Sequence, residues 1–87
     1  MSYAIRFSAH AVKSFRKLPR SVQVRLYAAI EALKDNPRMP GSEKLKGSEN
    51  AYRLRAGDYR VLYEIMDDEL AVYIIEVGHR REVYRSK

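Results

Sequence analysis

The sequence predicts an α+β domain in which a helical hairpin packs on one face of a mainly antiparallel four-stranded sheet, in the order β-α-α-β-β-β. Three observations predict it. An apolar/polar alternation opens the chain, two segments of helical apolar spacing meet at Pro19, and three alternating segments joined by short turns follow. A chain of 87 residues has material for one hydrophobic core and not for two, so residues 1–87 read as a single domain.

Tyr3, Ile5 and Phe7 alternate with Ala4 and Arg6, the period of a half-buried strand, and Ser8 is placed to cap a helix behind it. From Ala9 to Leu18 the apolar Ala11, Val12, Phe15 and Leu18 recur at helical spacing and leave His10, Lys13, Arg16 and Lys17 on the polar side. Pro19 disfavours helical geometry at Leu18 and suits the first turn of a new helix. Val22, Leu26, Ala29, Ile30 and Leu33 then form one apolar stripe that Asn36-Pro37 stops, and the short connection makes the two helices an antiparallel hairpin. The next stretch, "NPRMPGSEKLKGSEN", carries Arg38, Lys44 and Lys46 without periodicity and reads as a loop with Leu45 tacked to the core. Strands are expected at Tyr52–Ala56, Tyr59–Met66 and Leu70–Val77, joined by Gly57-Asp58 and by Asp67-Asp68-Glu69. With only two helices available, the second face of the sheet stays uncovered, and the tail "GHRREVYRSK" is a turn followed by a short helical or irregular segment.

Charge narrows the partner. The chain carries a formal +6, while six carboxylates and one arginine lie between Asp58 and Glu76, so the remainder carries +11. A basic face segregated from an acidic turn suits a nucleic acid or another anionic partner. Cysteine is absent, which excludes disulfides, thiolate chemistry and cysteine-ligated zinc and fits a cytoplasmic protein. No segment approaches the roughly 20 apolar residues that cross a bilayer, and the start lacks the apolar stretch of a signal peptide. Neither metal-ligand spacing, nor a phosphate-binding glycine loop, nor a Ser-His-Asp arrangement stands out, so no metal or cofactor is expected.

The segment "AYRLRAGDYRVLY" concentrates the positive charge. With Gly57-Asp58 as a two-residue turn, Ala56 faces Tyr59, Arg55 faces Arg60 and Arg53 faces Leu62. Alternation then sends Tyr52, Leu54, Tyr59, Val61 and Tyr63 towards the helices, and Arg53, Arg55 and Arg60 to the uncovered face. Like charges directly opposite destabilise a sheet by up to about 1 kcal/mol. Two readings stand: a solvated, salt-screened strand face, or a site for a strongly anionic ligand. "GHRREVYR" after the last strand adds Arg80, Arg81 and Arg85 with His79 and Tyr84, near the base of Arg60 if that strand pairs with Tyr59–Met66.

Taken together, "KLKGSENAYRLRAGDYRVLYEI" and "VGHRREVY", with "AVKSFRKLP" and "NPR" upstream, resemble the RelE/ParE toxin superfamily, and its RelE side more closely. The resemblance implies a RelE-like microbial RNase fold. It also implies a toxin of a type II toxin-antitoxin pair that enters the ribosomal A site and cuts mRNA without metal, by attack of a 2′-hydroxyl on the adjacent phosphate. Carried over by position, Arg53, Arg55, Arg60, Arg80 and Tyr84 fall on the family's functional residues. In the best-known member both hairpin positions are lysines, one of them proposed as general base. Arginine fits that role poorly, because deprotonating a group with a pKa above 12 at pH 7 costs at least about 7 kcal/mol. Arg53 and Arg55 are therefore expected to hold phosphate, with His79 as a candidate acid or base and Arg80 as an alternative proton donor. Lys13, Arg16, Lys17, Arg20, Lys44, Lys46 and Arg81 would contact RNA, including ribosomal RNA. Partners implied are a cognate antitoxin, the ribosome with its mRNA, and operator DNA only through the toxin-antitoxin complex. The ParE branch, whose members poison DNA gyrase without cutting RNA, is the alternative, as is a degenerate toxin that retains only antitoxin and operator binding.

Overall fold

A computed structural model describes residues 2–79. Along the chain run β1 (Ala4–Phe7), α1 (Ala9–Arg16), α2 (Arg20–Ala32), β2 (Ser42–Lys44), β3 (Ala51–Ala56), β4 (Tyr59–Met66) and β5 (Ala71–His79). They form one sheet in the order β1-β5-β4-β3-β2, with β1 parallel to β5 and every other pair antiparallel. No helix among these residues is long and apolar enough to cross a membrane.

The helical hairpin forms as its sequence dictates. The Ser8 hydroxyl accepts from the Ala11 amide at 3.0 Å and donates to the Ile75 carbonyl at 3.0 Å, so the cap of α1 is also fastened to β5. Helix α1 ends at Arg16 rather than Leu18, and Pro19 caps α2 instead of entering it. In that turn the Gln23 side chain donates to the Leu18 carbonyl at 2.9 Å, satisfying a group the proline connection leaves open. Ala11, Leu26, Ile30 and Leu33 descend onto Tyr52, Leu54, Val61, Tyr63, Ile65, Val72 and Ile74, and this contact is the core. Val24 and Tyr27 stay exposed, although Tyr27 reads from sequence as a packing residue.

Five polar side chains fix the chain after α2. The buried Tyr63 hydroxyl donates to the Pro37 carbonyl at 2.6 Å. Arg38 grips both Asp67 oxygens at 2.8 and 3.3 Å and donates through Nε to the Tyr52 hydroxyl, while Tyr3 donates to Asp67 at 2.7 Å. A bidentate guanidinium–carboxylate pair holds direction as well as charge. Arg38, from the expected loop, and Asp67, from the expected turn, join that loop to the sheet.

The sheet has a fifth strand beyond the four expected. The segment predicted as loop supplies β2, pairing Ser42, Glu43 and Lys44 with Leu54, Arg53 and Tyr52. Three polar residues show no alternation to detect; the strand exists because β3 offers an open edge, and its charges suit an edge position. Gly41, at φ 95°, turns the chain into it.

Candidate functional site

At the β3–β4 hairpin the sequence reading and the structure agree residue for residue. Gly57, at φ 63°, makes the turn, and Ala56, Arg55 and Arg53 lie opposite Tyr59, Arg60 and Leu62. Tyr52, Leu54, Val61 and Tyr63 are buried in the core, so alternation places Arg53, Arg55 and Arg60 on the face the helices leave open. There they line a pocket of about 300 Å³ together with Gly41, Ser42 and Glu43. That volume is at the small end of ligand sites, which run from roughly 300 to 1,000 Å³.

The three arginines occupy different environments. Arg60 is only 4% exposed, and its Nη1 donates to the carbonyls of Tyr59 at 3.1 Å and Gly57 at 3.4 Å. A buried guanidinium needs such acceptors, because desolvating an ion costs several kcal/mol. The hairpin turn thus sets the orientation of Arg60. Arg53, on a side chain 20% exposed, donates to Glu43 at 2.9 Å across the β2–β3 pairing. The Arg53 guanidinium holds the Glu43 carboxyl below the usual glutamate range, with a smaller pull from Arg55. Arg55 is exposed beside them. Among the described residues that line it, three guanidinium charges stand against one carboxylate, a net cationic set. It can hold a phosphate and stabilise added negative charge on it.

His79 is carried elsewhere by an irregularity in β5. Leu62 pairs with Glu76 and Tyr63 with Ile74, so Ile75 is an extra residue in the ladder. The bulge lets Ile74 and Val77, three residues apart, both face the core. It also puts Gly78 opposite Arg60 and His79 opposite Tyr59. His79 therefore shares the helix-side face with Tyr59, their rings edge to face at 5.7 Å, and the arginine pocket is on the other side. Arg80, Arg81 and Tyr84 lie outside the described residues.

The bases expected to touch RNA fall into two groups. Lys13, Arg16, Lys17 and Arg20 are exposed on the helical layer, across the sheet from the pocket. Lys44 lies in β2 opposite the core residue Tyr52, which turns it to the helix side, and Lys46 lies just past the strand; both are exposed along this edge of the sheet. Among the described residues no group of three or more histidines and carboxylates is placed to hold a metal ion. Glu43, the only carboxylate among the described residues that line the pocket, was passed over in the sequence, where nothing distinguishes it from its polar neighbours.

The chain has recognisable kin. The family model described as the ParE toxin of the type II toxin-antitoxin system parDE matches residues 5–84. The mRNA interferase toxin RelE of Escherichia coli K12 is 34% identical over 88 residues, covering 97% of this chain and 92% of that one. Among solved structures, an E. coli RelE mutant in the free state superposes with a TM-score of 0.80 at 32% identity, covering 98% of this chain and 93% of that one. The toxin in the intact E. coli RelBE toxin-antitoxin complex gives 0.78 at 31%, covering 90% and 96%.

Proposed function

The chain belongs to the ParE toxin family of type II toxin-antitoxin systems, on its RelE side, and from that footing we propose that it is a ribosome-dependent, metal-independent endoribonuclease. It cleaves mRNA in the A site. The observation that carries the reading is the pocket of Arg53, Arg55 and Arg60 on the open sheet face, with Arg60 buried and oriented by the hairpin.

The reaction is transfer of a phosphoryl bond from the 5′-oxygen of one nucleotide to the 2′-oxygen of its neighbour. Negative charge gathers on the non-bridging oxygens as five-coordinate phosphorus forms. Arginines already fixed around that position stabilise the charge without reorganising, and removing one such donor typically costs about 10²–10³ in rate. Arg80 and Tyr84 complete the proposal on the leaving-group side and against a base. Lys44 and Lys46 extend the cationic edge along the RNA, and the helical-layer bases Lys13, Arg16, Lys17 and Arg20 meet ribosomal RNA. An antitoxin is the regulatory partner, and operator DNA is reached through that complex.

The test is induction in a translating extract with mapping of 5′ ends on a reporter message. Cuts within A-site codons that disappear in the double variant Arg60→Ala, Arg80→Ala are expected. An intact message accompanied by arrested DNA supercoiling would replace this reading with gyrase poisoning.

A further inference from the structure

The pocket has cations for the phosphate but, among its arginines, no group able to accept a proton at neutral pH. Resting on the nuclease reading, we infer that Glu43 is the general base that takes the proton from the attacking 2′-hydroxyl. Its position carries the inference. Glu43 projects from β2 directly opposite Arg53, and its side chain is 66% exposed, so a nucleotide can reach it. Its oxygen is 2.9 Å from Arg53, the residue that would hold the scissile phosphate. A carboxylate that close to a phosphate-binding guanidinium is within reach of a hydroxyl on the adjoining ribose.

The layout also separates the two ends of the reaction. Glu43 and Arg53 form the β2 flank of the pocket, while Arg60 and, opposite it, Gly78 lie towards β5. A phosphate spanning the arginines meets a base on the β2 flank and has its leaving oxygen towards β5, the arrangement an in-line displacement needs. Glu43 accepts the 2′-hydroxyl proton, the 2′-oxygen forms its bond to phosphorus, and the bond to the 5′-oxygen breaks. The 5′-oxygen leaves as a hydroxyl after taking a proton from solvent, and Glu43 later returns its proton to solvent. The Arg53 contact keeps Glu43 ionised before substrate arrives. When the phosphate draws Arg53 to itself, that restraint weakens and the carboxylate becomes a better base at the moment it is needed.

The ion pair permits a clean test, because glutamine still accepts a hydrogen bond from Arg53 but cannot take the proton. Single-turnover cleavage on programmed ribosomes is measured for the wild-type chain and for Glu43→Gln, together with binding of each to the same ribosomes. Cleavage by Glu43→Gln slower by 10²–10⁴-fold is expected, with binding unchanged within threefold or tighter. Cleavage within threefold of wild type would overturn the assignment and leave the nuclease reading standing. A rate loss matched by an equal binding loss would also overturn it, making Glu43 a positioning residue for Arg53. No cleavage by the wild-type chain would overturn both.

Discussion

Replacing Arg55 with threonine should make the protein more stable and less active, a combination that only a functional cluster produces. Arg55 faces Arg60 directly across the β3–β4 pairing, and Arg60 is nearly sealed from water. Like charges so placed cost a sheet up to about 1 kcal/mol. Threonine keeps a strand-favouring side chain, and Arg55 is exposed, so no packing is lost. Relief of the full repulsion would raise the melting temperature by about 4–8 °C for a domain of this size. The gain should shrink in high salt, which already screens the exposed partner. On the nuclease reading the same change removes one of three guanidiniums from the phosphate and should slow single-turnover cleavage about 10²–10³-fold. Thermal melts at low and high salt, beside a cleavage assay on programmed ribosomes, measure both quantities. A variant that melts lower while cutting at the wild-type rate would refute the reasoning on both counts.

Three further outcomes follow from contacts described above. Tyr63→Phe removes the buried donor to Pro37 and should cost about 1–3 kcal/mol in urea denaturation, since the carbonyl keeps its desolvation penalty. Gly57→Ala puts a β-carbon at φ 63° and should cost roughly 1–2 kcal/mol, with the arginine pocket distorted because the Gly57 carbonyl orients Arg60. Asp67 is held below the usual aspartate range by Arg38 first and Tyr3 second, so its contribution to stability is present above about pH 4 and is lost as acid protonates it. Acid titration of Asp67→Asn should accordingly show a shallower fall in stability below about pH 4 than the wild-type chain.

The parts of the molecule that could be read in advance are those where local chemistry and tertiary structure agree. Ser8, Pro19 and the Gly57-Asp58 turn act within a few residues of themselves, so the helix start, the helical break and the pairing of Arg55 with Arg60 were all visible in the sequence. Strand β2 was not, because its pairing is a response to the open edge of β3 and leaves no mark in Ser42-Glu43-Lys44. The bulge was hidden by Ile74-Ile75, two apolar neighbours either of which could face the core. That ambiguity is why His79 looked close to the arginines when it lies on the other side of the sheet. Net charge pointed to an anion but could not tell a buried Arg60 from an exposed Arg55. Glu43 belonged to a segment read for its bases and for Leu45, not for its carboxylates.

Strand β5 is the last described element in the chain and yet sits inside the sheet, between the first strand and β4. During synthesis β1 and the cap of α1 therefore wait for a partner until β2, β3 and β4 have been made, and the pairing that then forms joins residues 4–7 to residues 71–74. Such late, long-range closure folds slowly compared with local structure. The strand also places Gly78 opposite Arg60. A nascent chain can fold the β3–β4 hairpin early, but the pocket's buried arginine acquires its β5 neighbour only when that strand slots home. The hairpin and the finished pocket are thereby separated in time.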